Sequence, residues 1–117
     1  MIISSNTIIY CKKWDECKRF YRDILGLRIH FEKDWFIEFH ICEGAYLSIA
    51  DEAHTSIKNA AGGGITIALK FDSADEMRKN LVDNGIAAGE ISNHPWGGKT
   101  FFIMDPEGMR IEIWSDK

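Results

Sequence analysis

The same order of predicted elements occurs twice in this chain of 117 residues, and the repetition limits the folds that it can form. A short β-prone run is followed by a helical pattern, a glycine stop and three further strands. The segment Ile24-Leu25-Gly26-Leu27 in the first half corresponds to Asp83-Asn84-Gly85-Ile86 in the second. The strand Leu47-Ser48-Ile49 corresponds in the same way to Ile111-Glu112-Ile113. The repeat therefore predicts two βαβββ modules.

We place the first module at residues 1–51, a connector at residues 52–63 and the second module at residues 64–117, all within a single domain. Because one helix covers only one face of a sheet, the other face of each sheet remains free to form a cleft. The predicted fold class is therefore α+β, with two curved mixed sheets and a ligand cleft.

Local signals support the repeat. Apolar residues recur at helical spacing over residues 14–25, and Ser73-Ala74-Asp75-Glu76 is a capping box that begins a second helix. Ile86 to Ile91 predicts a short edge strand, which a loop at residues 93–98 follows. Asp105-Pro106-Glu107-Gly108 predicts a tight turn between the two closing strands.

Composition restricts the classes of partner. The net charge of −4 gives no basis for nucleic-acid binding, and no apolar run approaches the length of a membrane span. The first residues lack the pattern of a signal peptide. Three cysteines without a CxxC pair indicate reduced thiols, so we expect a cytoplasmic protein.

Strand alternation predicts which side chains face the cleft. If Ile111 and Ile113 pack under a helix, Glu112 faces the cleft together with its neighbours at alternate positions. The same reasoning assigns to the cleft Asn6, Ile8, Tyr10, Phe36, Glu38, His40, Tyr46, Ser48, Ala50, Thr66, Ala68, Lys70, Arg110 and Trp114. Within this set, Tyr10, Phe36, Tyr46 and Trp114 form either an aromatic wall for a planar ligand or part of an interface or core.

The paired modules, Phe20-Tyr21 with Ile24-Leu25-Gly26-Leu27, and Asp105-Pro106-Glu107-Gly108 with Ile111-Glu112 resemble the vicinal oxygen chelate superfamily. Pro95-Trp96-Gly97 ahead of a strand is a further similarity. The resemblance covers nearly the whole chain and implies the glyoxalase/bleomycin-resistance/dioxygenase fold. It also implies a homodimer, because short members of the superfamily usually pair modules between chains.

The resemblance also implies four positions at which metal-dependent members carry ligands. They fall on Asn6, Ser48, Thr66 and Glu112. Only Glu112 is a good ligand for a divalent cation, whereas a metal site needs three or more good donors. We therefore expect no metal and no other cofactor, although a divalent metal is the alternative.

Several candidate residues have both a functional and a structural interpretation. Glu112 is the candidate catalytic residue, or it pairs with Lys70 or Arg110. Glu38 and His40 form an acid–base pair or ligate a metal, or they are solvated on an outer strand. Trp96 closes over a ligand or packs on a neighbouring module or subunit. His30 and His54 are expected to be ordinary surface residues. The candidate ligand-binding residues are Glu38, His40, Tyr46, Ser48, Thr66, Lys70, Trp96, Arg110 and Trp114.

Three functions are compatible with these residues. The first is a metal-free protein of the bleomycin-resistance type that binds a small organic molecule, aromatic or cationic, in an acidic and aromatic cleft. The second is a lyase, isomerase or transferase, with or without a metal, that uses Glu112. The third is an interaction module whose cleft is vestigial. Whether the protein is an enzyme stays open at this stage.

Overall fold

The computed structural model describes residues 1–117, which separate into two units. The N-terminal unit is Met1–Ala61 and the C-terminal unit is Gly62–Lys117. Each unit contains one four-stranded mixed sheet and few helices, and neither sheet closes into a barrel. The fold is therefore α+β and repeats βαβββ, as the sequence predicts.

The N-terminal unit has a sheet with the strand order β1-β4-β3-β2. Its strands are β1 (Ser5–Cys11), β2 (Arg28–Lys33), β3 (Phe36–Cys42) and β4 (Ala45–Asp51), and its helices are α1 (Trp14–Arg19), a π-helical segment (Phe20–Ile24) and a 3-10 turn (Glu52–His54). β1 pairs parallel with β4, while the β2–β3 and β3–β4 pairs are antiparallel.

The C-terminal unit repeats this arrangement with the strand order β5-β8-β7-β6. Its elements are β5 (Thr66–Lys70), α2 (Ala74–Asp83), β6 (Ser92–Asn93), β7 (Lys99–Met104) and β8 (Arg110–Ser115). β5 pairs parallel with β8, and the other pairs are antiparallel. No helix in either unit is both long enough and apolar enough to cross a membrane.

The two helical regions begin and end where their sequences predict. The Ser73 hydroxyl accepts a hydrogen bond from the Glu76 backbone N–H at 3.2 Å, which caps α2. Gly85 follows α2 with a φ of +81°, and Gly26 follows the π-helical segment with a φ of +71°. Positive φ is the conformation that glycine adopts most readily, so both glycines terminate their helices.

The predicted edge strand at Ile86–Ile91 is wrong. Those residues have no regular secondary structure, and the edge strand is the two-residue β6, Ser92–Asn93. Two hydrogen bonds at Gly89 hold residues 86–91 in place instead. The Gly89 N–H donates to the Phe102 carbonyl at 2.9 Å, and the Arg78 Nε donates to the Gly89 carbonyl at 2.8 Å. A β-prone composition did not distinguish a strand from an extended segment with other partners.

The predicted turn at Asp105-Pro106-Glu107-Gly108 is confirmed. Asp105 Oδ1 accepts hydrogen bonds from the backbone N–H groups of Glu107 and Met109, both at 2.8 Å. Gly108 has a φ of +86°. Because Asp105 is 4% exposed, its carboxylate satisfies buried backbone donors at the base of the β7–β8 hairpin.

Burial confirms the predicted alternation of faces. One face of each sheet forms the core, which includes Ile9, Cys11, Ile37, Phe39, Leu47, Ile49, Leu69, Ile111 and Ile113. The other face, which we call the open face, carries the residues between them. Ser48 and Ala50 also lie on the open face but are themselves buried, since neighbouring strands flank β4 on both sides.

A β-bulge alters the alternation in β2. Ile29 lies opposite Phe39, and the next paired residue is Phe31, which lies opposite Glu38. His30 is therefore the additional residue on that strand. Beyond the bulge, Lys33 lies opposite Phe36, so Phe31 and Lys33 share the side of the sheet that carries Glu38 and Phe36. Regular alternation from Arg28 would have turned them to the other side.

Candidate functional site

A row of polar side chains crosses the open face of the N-terminal sheet. Ser48 Oγ donates to Asn6 Oδ1 at 2.8 Å, and Asn6 Nδ2 donates to Glu38 Oε1 at 3.2 Å. The other oxygen of Glu38 lies 2.6 Å from His30 Nδ1. Both oxygens of this carboxylate therefore have hydrogen-bond partners, and the row extends over strands β1 to β4.

His40 has partners other than the one that the sequence suggested. No hydrogen bond joins it to Glu38. Instead, Arg28 Nη2 lies 3.2 Å from His40 Nδ1. The ring of Tyr46 contacts both histidines, with centroid separations of 5.1 Å to His30 and 5.5 Å to His40.

A cavity of about 430 Å³ adjoins the polar row on the same open face. Its lining is mostly apolar and aromatic. The lining residues are Ile8, Tyr10, Phe31, Lys33, Trp35, Phe36, Ala50, His54, Thr55, Ser56 and Ile57. The indole of Trp35 stacks on the His54 ring, with centroids 6.3 Å apart and an interplanar angle of 14°, and Lys33 Nζ lies 4.5 Å from the Trp35 centroid. The lining contains no carboxylate.

The open face of the C-terminal sheet carries Glu112 at its centre. Glu112 lies between Ala68 on β5 and Phe102 on β7, is half-buried, and makes no hydrogen bond or ion pair. The two cations that the sequence offered as partners are engaged elsewhere. Lys70 pairs with Asp116 at 2.9 Å, and the Arg110 guanidinium lies 3.9 Å from the Phe102 centroid.

Aromatic side chains line the edge of this second open face. Trp114 contacts Lys70 Nζ at 4.9 Å from its centroid and Trp96 at a centroid distance of 6.1 Å. Trp96 stacks on His94 at 5.4 Å and is 61% exposed. Thr66 is exposed and lies opposite Arg110 in the β5–β8 pair. Trp96 therefore covers part of its own unit and still presents an indole to solvent.

The family positions for metal ligands do not fit a divalent cation. Within the N-terminal unit, Asn6 and Ser48 hydrogen-bond to each other, and Asn6 also donates to Glu38. Thr66 offers a hydroxyl, which leaves Glu112 as the one carboxylate among the four positions. Hydroxyl and amide oxygens are weak donors compared with carboxylate and imidazole groups. Among residues 1–117, no group of three or more His, Cys, Asp or Glu side chains is arranged to hold a metal ion.

The structure thus brings Glu38 and Ser48 into one polar row, with His40 and Tyr46 beside it. Tyr10 and Phe36 of the expected aromatic wall line the cavity, whereas Tyr46 lies among the histidines and Trp114 belongs to the C-terminal sheet. The open face of the C-terminal sheet carries Lys70, Arg110, Glu112 and Trp114, and Trp96 contacts Trp114 at its edge.

Sequence reasoning missed several residues of the polar row and of the cavity. His30 and His54 are exposed, as expected for surface residues, yet His30 pairs with Glu38 and His54 stacks on Trp35. His54 to Ile57 lie in the segment interpreted as a connector, which has no period. Phe31 and Lys33 reach this face because of the bulge in β2. The adjacent aromatic pair Trp35-Phe36, which follows a turn, was the sequence signal that could have indicated this cavity.

Two βαβββ units, each with a mixed sheet whose open face carries polar and aromatic side chains, define the class of this protein. The chain belongs to the Glyoxalase/Bleomycin resistance protein/Dioxygenase superfamily, because the model of that family matches residues 4–113. Family membership, which the sequence resemblance predicted, is therefore confirmed.

Solved structures share the fold at low sequence identity. Lactoylglutathione lyase from Agrobacterium tumefaciens has a TM-score of 0.76 at 23% identity, covering 94% of this chain and 90% of its own. TnmS3, an antibiotic binding protein from Streptomyces sp. CB03234, has a TM-score of 0.78 at 20% identity, covering 98% of both chains. A member of the same superfamily from Sphaerobacter thermophilus DSM 20745 has a TM-score of 0.78 at 17% identity, covering 98% of both chains.

Proposed function

We propose that this protein binds a small, flat organic molecule on the open face of the N-terminal sheet, without a metal ion. The observation that carries the proposal is the aromatic cavity of about 430 Å³, which lies within the size range of small-molecule sites. Tyr10, Phe31 and Phe36 supply rings against which a flat ligand can stack. That TnmS3 is an antibiotic binding protein is compatible with a binding role for this fold.

The charge of the lining favours a neutral ligand over the cationic one suggested by the sequence. The cavity contains Lys33 and His54 and no carboxylate. Glu38 lies on the neighbouring row, but both of its oxygens already accept hydrogen bonds. A cationic ligand would therefore enter a lining that offers no negative charge, and its desolvation would be uncompensated.

Isothermal titration calorimetry with three compounds of one ring system tests the proposal. We expect 2-naphthol to bind, and naphthylmethylammonium to bind more weakly or not at all, while naphthoate reports any contribution from Lys33. Ala50 forms part of the cavity floor and is 1% exposed, so Ala50→Leu should fill space and weaken naphthol binding about tenfold.

Ala53→Leu provides the matched control. Ala53 is an exposed residue of the same unit and does not line this cavity. We expect this variant to bind naphthol like the unaltered protein. The proposal is wrong if none of the three compounds gives heat, or if Ala50→Leu binds naphthol as tightly as Ala53→Leu does.

A second candidate, an enzyme that uses Glu112, has one specific observation in its favour. The Glu112 carboxylate is half-buried on an open face without a cationic partner, and burial of an unpaired charge has a desolvation cost that a functional role would explain. Elemental analysis of protein purified without chelator tests the metal-dependent form of this candidate. Stoichiometric zinc, nickel, manganese or iron would support a metal-dependent enzyme and contradict the metal-free binding role.

The interaction-module alternative requires a cleft that is filled by its own side chains. The cavity beside Phe31 and Phe36 is open, which supports the binding role over that alternative.

A further inference from the structure

We propose that His30 and His40 hold opposite tautomers and together form a subsite for a flat ligand that carries both a hydrogen-bond donor and an acceptor. This inference rests on the proposed function, because it specifies the ligand class of the same open face. His30 would accept a hydrogen bond from the ligand through Nε2, and His40 would donate one through Nε2–H.

The tautomer of His30 follows from its partner. Glu38 Oε2 lies 2.6 Å from His30 Nδ1, and an ionised carboxylate can only accept hydrogen bonds. The proton must therefore lie on Nδ1. In the neutral imidazole the other ring nitrogen then has a lone pair and no hydrogen, so Nε2 is an acceptor.

The orientation of Glu38 is fixed by Asn6, which is itself oriented by Ser48. The buried Ser48 hydroxyl donates to Asn6 Oδ1 at 2.8 Å, so the amide nitrogen of Asn6 is directed to Glu38 Oε1 at 3.2 Å. The reverse amide orientation would place an oxygen against a carboxylate oxygen, which cannot form a hydrogen bond. The hydrogen bonds that join Ser48, Asn6, Glu38 and His30 therefore allow only one assignment of donors and acceptors.

The tautomer of His40 follows from the opposite kind of partner. Arg28 Nη2 lies 3.2 Å from His40 Nδ1, and a guanidinium group has donors and no acceptor. Nδ1 must therefore accept. In the neutral ring the proton lies on Nε2, which makes His40 a donor where His30 is an acceptor.

Tyr46 contacts both histidine rings on the open face. Its ring centroid lies 5.1 Å from that of His30 and 5.5 Å from that of His40. The bulge at His30 is next to Phe31, which lines the aromatic cavity. Neither histidine lines the cavity itself, so the ligand that we propose extends from Phe31 over the Tyr46 ring. A neutral cyclic amide carries an N–H and a carbonyl on one ring and so matches one acceptor and one donor.

The first test measures the tautomers without a ligand. Two-bond proton–nitrogen correlation spectra of ¹⁵N-labelled protein, recorded where the rings are neutral, should show the hydrogen of His30 on Nδ1 and that of His40 on Nε2. Arg28→Ala should shift His40 towards a mixture of tautomers and leave His30 unchanged. The remaining two histidines, His54 and His94, serve as internal references. The same tautomer at His30 and His40 would overturn the inference.

The second test measures ligand selection with carbostyril, a neutral bicyclic amide, and N-methylcarbostyril, which lacks only the N–H donor. We expect the methylated compound to bind about three- to tenfold more weakly, the usual effect of losing one hydrogen bond. His30→Phe keeps a ring against Tyr46 but removes the acceptor, so it should abolish the difference between the compounds. His94→Phe is the matched control, because His94 lies in the C-terminal unit and does not line the cavity, and it should preserve the difference between the compounds.

The outcomes separate this inference from the binding proposal. If 2-naphthol binds but neither carbostyril nor its methyl derivative does, this inference fails while the binding proposal stands; if the naphthyl compounds give no heat either, both fail. If both bind equally well to the unaltered protein, the cavity binds flat molecules but the donor–acceptor subsite is wrong.

Discussion

Replacement of Gly62 by alanine should destabilise the protein much more than the same change at Gly64, although both glycines have positive φ. Gly62 has a φ of +68° and Gly64 a φ of +75°, so alanine pays a similar conformational penalty at each. This penalty is roughly 1–2 kcal/mol, and the lower entropy of the unfolded chain offsets part of it. We therefore expect Gly64→Ala to cost about 1 kcal/mol.

The difference between the two positions is the space around the new Cβ. At Gly64 nothing lies within 4 Å, whereas at Gly62 the Cβ would lie 2.8 Å from the Met109 Cα and 3.2 Å from the Gly108 carbonyl oxygen. These are backbone atoms of the β7–β8 turn, and the Met109 N–H is held by Asp105. Because the turn cannot move without losing that bond, we add about 1–3 kcal/mol for overpacking.

Urea denaturation followed by far-UV circular dichroism checks this prediction. Gly62→Ala should lose about 2–4 kcal/mol of unfolding free energy with an unchanged m-value, and its Tm should fall by several degrees for each kcal/mol. Equal losses in Gly62→Ala and Gly64→Ala would refute the reasoning, because they would show that the close approach to Met109 has no energetic consequence.

Three further predictions concern the turn, one surface pair and the assembly. Asp105→Ala should cost about 2–3 kcal/mol in the same denaturation assay, because two backbone donors lose their acceptor, while Asp105→Asn, which keeps that oxygen, should retain most of the stability. Arg22 donates a hydrogen bond to Asp23 at 2.8 Å, and this bond lowers the pKa of the Asp23 carboxyl. The stability that this hydrogen bond contributes is therefore present at neutral pH and is lost as the pH falls through the pKa of Asp23. Arg22→Gln should raise the pKa of Asp23 towards its ordinary value in an NMR titration, and an unchanged value would contradict the assignment. Finally, we predict a homodimer, and a monomeric mass by light scattering at micromolar concentration would contradict it.

Much of the fold could be predicted from the sequence because its signals are local. Gly26 and Gly85 end their helices through a backbone conformation that other residues adopt with difficulty, and Ser73 caps a helix within four residues of chain. The failure at Ile86–Ile91 has the opposite cause. The partners of that segment, Arg78 and Phe102, are distant in the sequence, and local β-propensity carries no information about them.

The candidate site was less predictable than the fold. Alternation placed Glu38 and His40 on one face correctly, but it could not pair them, because pairing depends on the neighbouring strands. His30 reaches Glu38 from β2, and Arg28 reaches His40 from the same strand. The π-helical segment at Phe20–Ile24 was also predicted simply as helix, since its apolar spacing differs little from the α-helical one.

The bulge in β2 has a consequence for how such sites diverge. In a regular strand, consecutive residues point to opposite sides, but here His30 and Phe31 both serve the open face, one in the polar row and one in the cavity. Gain or loss of one residue at this point would therefore add or remove a whole functional group without any substitution elsewhere. Among relatives that share this fold at low identity, a one-residue gap in β2 would indicate a change of ligand more directly than the percentage of identical residues does.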